Sequence, residues 1–295
     1  ADPMEVKPLS NAIGAEIKGV DLSEMQDEAT LKKIEEAFHE FLIVLLRDQN
    51  ITLEQQKGFA TYFGELGSRF RPGSTKPNEL DEYGEHVMLV TNVRKDGKPI
   101  GSLPDGEMTF HADTPYFEFP SKATMLYAME LTSWGGSTLF SNCYTAAEQL
   151  PDDLKRRLEG CKAMQVYEYG TTLKNKDKYD RENFPYFAHP IFRKHPATGR
   201  SSLFVSELMT EEIVGLPEDE SDEILAYLFK HQKKPEFVYE HDWKVGDLIM
   251  WDNRCSIHAR KDFPRDERRM LRRLTVQDTY PVLEGAPPYT FAAAE

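Results

Sequence analysis

An imidazole and a carboxylate stand two residues apart in Phe110-His111-Ala112-Asp113. In an extended segment positions i and i+2 point to one side, so both side chains can meet one metal ion while Ala112 points away. Alone the pair is weak, because a chain with eight histidines and 50 acidic residues supplies about one His-x-acid pair by chance. A second segment, Trp251-Asp252-Asn253-Arg254-Cys255-Ser256-Ile257-His258, follows the apolar Leu248-Ile249-Met250 and turns at a polar cluster. A histidine beyond such a turn can reach across a barrel mouth. Two histidines and one carboxylate on one face of an octahedral ion leave three positions open, the arrangement of non-haem Fe(II) oxygenases. Zinc accepts the same ligands, so the discriminator is a group that binds a cosubstrate.

Arg268-Arg269-Met270-Leu271-Arg272-Arg273-Leu274-Thr275 offers that group. Read as a strand, it places Arg269, Leu271 and Arg273 on one face and Arg268, Arg272 and Leu274 on the other. Two guanidinium groups then enter one cavity. Inward arginine is costly to desolvate unless an anion meets it, and its fork matches a carboxylate, so a dicarboxylate cosubstrate suits one of the two. A solvated basic stretch is the alternative for these arginines taken alone. Trp134-Gly135-Gly136-Ser137-Thr138-Leu139-Phe140 adds a glycine pair that permits positive φ before a strand, and Thr138 can donate to a carboxylate, with a plain hairpin as the alternative for this segment alone.

These groups need a scaffold. The spacing of Ile34, Ala37, Phe38 and Phe41 predicts a helix over 29–41, followed by a buried strand at Leu42-Ile43-Val44-Leu45-Leu46. Thr52 with Gln55 forms a capping box for a helix carrying Phe59, Tyr62 and Phe63 and stopping near Gly64 and Gly67. Thr145 with Glu148 predicts a further helix start, and 221–232 another helix with Leu225, Leu228 and Phe229 inward. Strand-like runs lie at 87–93, 123–131, 202–205, 247–251 and 271–276. Their irregular alternation with helices argues against a doubly wound parallel sheet and for an antiparallel barrel or sandwich with helices outside it. The Lys-, Asp- and Asn-rich stretch 172–181 reads as an exposed loop, with an active-site lid as the alternative.

Composition bounds the rest. At 295 residues, with 40% hydrophobic and 29% charged residues, the chain can bury a sizeable core, and no repeat or linker divides it, so residues 4–295 read as one domain. Ala1-Asp2-Pro3 before Met4 reads as an expression scar. A net charge of -14 repels phosphate backbones and anionic lipid, arguing against nucleic-acid or membrane partners. With neither a long apolar span nor a basic-then-apolar leader, the chain reads as cytoplasmic. Cys143, Cys161 and Cys255 lack metal or redox spacing and read as buried, reduced thiols.

Together these segments resemble the taurine dioxygenase and 2,4-dichlorophenoxyacetate dioxygenase (TauD/TfdA) family of Fe(II)- and 2-oxoglutarate-dependent oxygenases. The resemblance runs from Gly14-Ala15-Glu16-Ile17 through Gly19-Val20-Asp21-Leu22 and Phe63-Gly64 to the arginine segment. It implies a mostly β fold with peripheral helices around a double-stranded β-helix, the jelly-roll or cupin-like core. It further implies His111, Asp113 and His258 as the catalytic iron ligands. Arg269 and Thr138 look like the partners of the distal carboxylate of 2-oxoglutarate, and Arg273 falls where the substrate anion binds. The implied cofactors are Fe(II), 2-oxoglutarate and O2, and the products include succinate and CO2. Asn92-Val93, Asp96-Gly97-Lys98 and Val245-Gly246-Asp247-Leu248 look nearer the aryloxyacetate branch. Two departures stand out: Ser137 where Asp is common, and Ala112 where Thr or Ser is common; neither removes a ligand. Asp113 argues against a halogenase, in which halide takes the carboxylate's place.

The implied reaction is hydroxylation of a small anionic molecule, aryloxyacetate-, sulfonate- or related acid-like, with C–O or C–S cleavage when the attacked carbon bears such a group. The resemblance also suggests a homodimer or homotetramer. A zinc-dependent hydrolase using the same three ligands and a non-catalytic metal-stabilised binding protein are the competing readings. Phe110, Tyr116, Phe117 and Phe119 are candidates for an apolar pocket, with core packing as the alternative, and Arg69 and Arg71 are candidates for further cationic contacts, with a solvated loop as theirs.

Overall fold

The computed structural model describes residues 3–70, 78–103, 106–167, 169–172 and 183–290. Most of the expected stretch 172–181, and Arg71, lie outside the described residues. Helix α1 (Glu28–Phe41) starts where the Asp27 carboxylate accepts from the Thr30 N–H, and buries Ile34, Ala37 and Phe38 along one stripe. Leu42, at φ 70°, ends it and turns the chain into a strand with all four residues buried. Helix α2 (Leu53–Thr61) opens on the expected Thr52/Gln55 capping box.

Eleven strands form the two sheets that position the site: β1 Glu5–Pro8, β2 Ala15–Lys18, β3 Ile43–Leu46, β4 Met88–Thr91, β5 Met108–His111, β6 Ala123–Glu130, β7 Thr138–Asn142, β8 Val238–His241, β9 Leu248–Asp252, β10 Ser256–Arg260 and β11 Met270–Val276. Seven pair in the order β1-β2-β3-β9-β6-β11-β4, and four in the order β8-β7-β10-β5. From β4 onward the chain passes repeatedly from one sheet to the other, the winding of a jelly roll. Within these sheets only β2 and β3 pair in parallel; the other neighbours are antiparallel.

The centre of the large sheet is covered on both faces, and its strands β3 and β9 are buried at every position, with Ile43–Leu46 and Leu248–Trp251 continuous apolar runs. Its outer face sets Val44, Leu46, Met125, Tyr127, Leu248, Met250, Leu274 and Val276 against Ile34, Phe38, Phe59 and Phe63 of the helical layer. The inner face sets Ile43, Leu45, Ile249 and Trp251 against Phe140 and Tyr144. Each such large apolar side chain withdrawn from water contributes about 1.5–3 kcal/mol. A separate cluster joins a later helix, α3 (Glu218–Gln232), to the segments around Ala163, Phe192 and Leu203.

Two helix starts differ from expectation. The turn of helix at Cys143–Glu148 begins two residues before Thr145, because the Asn142 side chain accepts from the Tyr144 and Thr145 N–H groups and supplies the cap. Helix α3 starts at Glu218 rather than 221: Glu218, Asp219 and Glu220 suit its positive end, while the Ser221 hydroxyl accepts from the Ile213 N–H. Among the described residues no helix is long and apolar enough to cross a membrane. Cys143 and Cys255 are buried free thiols and Cys161 a half-buried one.

Candidate active site

Strand alternation aims the chemistry inward. Phe110 and Ala112 join Ile257, Ala259 and Phe204 in a cluster behind the small sheet, which leaves His111, Asp113 and His258 facing the space between the sheets. His111 and His258 are register partners across β5 and β10, with ring centroids 4.3 Å apart. Asp113 Oδ1 lies 3.6 Å from His111 Nε2 and 3.5 Å from His258 Nε2. All three candidate ligand atoms fall within 4.8 Å of one another, and all three residues are buried.

The protonation states suit a cation. His111 Nδ1 is 2.9 Å from the Thr109 carbonyl, which can only accept, so Nδ1 carries a hydrogen, and Nε2 is the nitrogen that can offer a lone pair to a metal. Burial pushes the His258 imidazole down to about 3, so it is neutral near pH 7. Its ring is held by Trp251, 4.5 Å away between centroids, and Phe140. Burial opposes ionisation of Asp113, yet the neighbouring His258, Arg273 and His111 and the Thr124 hydroxyl outweigh it and hold the carboxyl well below its ordinary range. Two imidazole nitrogens and a carboxylate thus surround one buried point, at separations too long for strong mutual hydrogen bonds. The donor set fits Fe(II), and chemically also zinc.

The arginine strand splits as its alternation predicts. Arg272 points to the helical layer, donating to Gln56 Oε1 and the Ile51 carbonyl. Arg268 pairs with Glu130 in solvent. Arg269, only 3% exposed, and Arg273 both line the cavity of the histidines. The Arg269 backbone is clamped at the end of edge strand β4, where Thr91 donates to its carbonyl and Asn92 Oδ1, just past the strand, accepts its N–H. Its Nη2 donates to the Gly136 carbonyl at 2.9 Å, whereas Nε has no partner and no carboxylate pairs with it among the described residues. Burial, with Arg260 nearby, lowers this guanidinium to about 10.

Gly135 and Gly136 both hold positive φ, and a Cβ on Gly136 would sit 2.0 Å from Arg269 Nη1, so the turn is built around the guanidinium. Thr138 Oγ1 accepts from Trp243 Nε1 at 2.9 Å, which leaves the hydroxyl hydrogen for another acceptor. Arg273 Nη2 lies 3.4 Å from Asp113 Oδ2.

The cavity measures about 620 Å³. Its apolar wall includes Met88, Leu103, Tyr116, Leu208 and Met209, and Phe117 and Phe119 also border it while half exposed. Phe110 is buried on the other side of the small sheet. Arg69 also lines the cavity, paired with Asp81 at 3.1 Å.

Sequence reasoning passed over the supports of these groups. Asn253 and Thr124 contact Asp113 directly, and Trp243 holds Thr138. Asn253 lies within the quoted Trp251–His258 segment, but nothing in its spacing points to Asp113, 140 residues away. His195, Asp252 and Cys255 form a second buried trio. There Asp252 is bidentate with Arg254 and accepts from His195, whose Nδ1 takes the Ala197 and Thr198 N–H groups. That trio clasps the turn between β9 and β10 and so places His258.

A family model described as taurine catabolism dioxygenase TauD, TfdA family matches residues 5–275. The alpha-ketoglutarate-dependent 2,4-dichlorophenoxyacetate dioxygenase of Cupriavidus pinatubonensis is 32% identical over 282 residues, covering 92% of this chain and 96% of that one. Pentalenolactone F synthase of Streptomyces arenae is 31% identical, covering 92% of this chain and 94% of its own. The solved structure of AAD-2 in complex with Mn(II) and N-oxalylglycine superposes with a TM-score of 0.81 at 28% identity, covering 96% of this chain and 100% of that one.

Proposed function

This chain belongs to the TauD/TfdA family and is an Fe(II)- and 2-oxoglutarate-dependent dioxygenase; from that premise we propose that it oxidises a C–H bond of a small organic anion with an apolar body, such as an aryloxyacetate or a sulfonate. In this reading His111, Asp113 and His258 hold the ferrous ion. Bound there, iron supplies dioxygen activation coupled to oxidative decarboxylation of 2-oxoglutarate to succinate and CO2. The chain's own residues supply position and charge. Arg269 meets the distal carboxylate of 2-oxoglutarate with the N–H groups that the protein leaves free, and Thr138 donates its hydroxyl hydrogen to the same group. Arg273 keeps Nη2 on Asp113 and offers its remaining N–H groups to the substrate anion. The aromatic and aliphatic lining excludes water from the substrate body.

The observation that carries the substrate class is the set of guanidinium groups, Arg273 and Arg69 together with Arg260 and Arg269, bordering one chamber that also has an extensive apolar wall, in a chain whose net charge is -14. Relatives named for a dichlorophenoxyacetate, a phenoxypropionate and a sulfate ester point the same way. Where the attacked carbon bears an ether oxygen or a sulfonate, the hydroxylated product collapses and the group leaves. Family membership does not favour the zinc hydrolase or the binding protein. The test is substrate-stimulated succinate release across aryloxyacetates, sulfonates, amino acids and neutral analogues. Anions are expected to stimulate release, and Arg273→Gln to raise their KM while the slow substrate-free release persists. Preference for a neutral analogue, or an unchanged KM in Arg273→Gln, defeats this assignment.

A further inference from the structure

The two oxygens of Asp113 live in different surroundings. Oδ1 faces Nε2 of both histidines, whereas Oδ2 accepts from the Thr124 hydroxyl and lies 3.4 Å from Arg273 Nη2. The direction of that hydroxyl is settled by its own neighbour. Asn253 Nδ2 donates to Thr124 Oγ1 at 2.9 Å, so the Thr124 hydrogen is directed to Oδ2. The amide of Asn253 is settled in turn, because its Oδ1 receives the Asp113 N–H at 3.2 Å and Trp251 Nε1 at 3.1 Å. Thr124 is fully buried on β6, between Trp251 of β9 and Thr275 of β11. Thr114, next to Asp113, holds φ 55°, a region β-branched residues rarely occupy, and is kept there by hydrogen bonds between its hydroxyl and Ser121.

We infer that Thr124, oriented by Asn253, is a positioning residue that reserves Asp113 Oδ2 and commits the carboxylate to meet the metal through Oδ1 alone. This rests on the assignment of His111, Asp113 and His258 as metal ligands. A carboxylate free to turn can offer both oxygens to one ion and occupy two of its positions. A carboxylate with Oδ2 engaged occupies one, and the second stays available to the 2-oxo acid. Thr124 therefore acts on cosubstrate binding more than on metal binding. A residue that merely packs would affect both alike or neither.

The experiment uses Mn(II), followed by electron paramagnetic resonance, and N-oxalylglycine, followed by calorimetry on the Mn(II)-loaded protein. Thr124→Val keeps the shape and removes the hydroxyl; Thr124→Ser keeps the hydroxyl. The valine variant is expected to bind Mn(II) at least as tightly as the parent and to lose N-oxalylglycine affinity by about ten- to a hundredfold, the range of one hydrogen bond to a charged group. The serine variant is expected to restore that affinity. Should the valine protein not accumulate folded, Thr124→Ala carries the same expectation. Parent-like N-oxalylglycine binding without the hydroxyl, or parallel loss of both ligands, overturns the inference. Mn(II) binding that survives His111→Ala, with Thr124 intact, instead overturns the ligand assignment, and this inference with it.

Discussion

Arg269→Gln should strengthen the empty protein and cripple the enzyme. The side chain is almost wholly buried, donates once to the Gly136 carbonyl, leaves Nε without a partner and has no carboxylate near it among the described residues. Bringing a guanidinium from an ordinary 12.5 to about 10 corresponds to about 3 kcal/mol of disfavoured charging. The sign follows from the direction. A cation whose folded value is depressed weakens the folded state at all pH values below that value, and the penalty lifts only as pH rises through 10. Near pH 7 glutamine removes it and can still donate a hydrogen bond, so ligand-free stability should rise by up to about 3 kcal/mol, or several degrees in Tm. Binding should move the other way. Losing one partner of a buried, hydrogen-bonded charge pair costs roughly 2–5 kcal/mol, or about 30- to 4,000-fold in affinity for 2-oxoglutarate. Calorimetric melts with and without Mn(II) plus 2-oxoglutarate read both effects. The cosubstrate at a hundred times its wild-type Kd should add about 2.7 kcal/mol to the wild type and at most about 0.9 kcal/mol to the variant. A variant that melts lower than wild type and still binds 2-oxoglutarate normally would refute the picture of an inward, anion-seeking guanidinium.

Gly136→Ala should share the binding defect without the stability gain, because its Cβ would displace Arg269 Nη1 and its φ of +73° strains any side chain. A KM for 2-oxoglutarate within error of wild type would show that the turn does not shape the arginine's pocket. Stability should also fall in acid: burial drives His258 to about 3 and His189 to about 4 from 6.5. Below pH 6.5 the unfolded chain takes up protons that the folded protein refuses, so stability rises with pH across this window and is lost on acidification, by on the order of 3 to 5 kcal/mol per histidine. Urea midpoints from pH 7 to 4 should trace that slope, and His189→Asn, which replaces a ring bonded to the Phe117 carbonyl, should flatten it; an identical slope in the variant would count against burial as the cause.

Much of the scaffold was legible because its signals are local. The stripe of Ile34, Ala37 and Phe38, the Thr52/Gln55 box and the uninterrupted apolar runs of β3 and β9 each depend on neighbours a few residues apart. Helix starts were less legible where a side chain had a better partner elsewhere, as with Ser221 serving Ile213 and Asn142 supplying the cap near Thr145. Alternation alone sorted Arg269 and Arg273 from Arg272, since a strand's side chains must take opposite faces. The pairing of chemically telling types, His111 with Asp113 and an arginine strand after His258, was likewise written in the residue order.

Contacts across the fold were not. That Asp113 meets His258 and Arg273, that Asn253 reaches back 140 residues to the Asp113 N–H, and that Thr124 engages one carboxylate oxygen follow from how two sheets pair and face each other. Period-two patterning says which face a residue takes, but not which strand lies beside it or what stands opposite. The sequence by itself therefore determined the kinds of group available and the side of each strand on which they stand. Only the tertiary structure decided which of them share one desolvated space, because sheet order and inter-sheet packing are settled by burying the whole core at once.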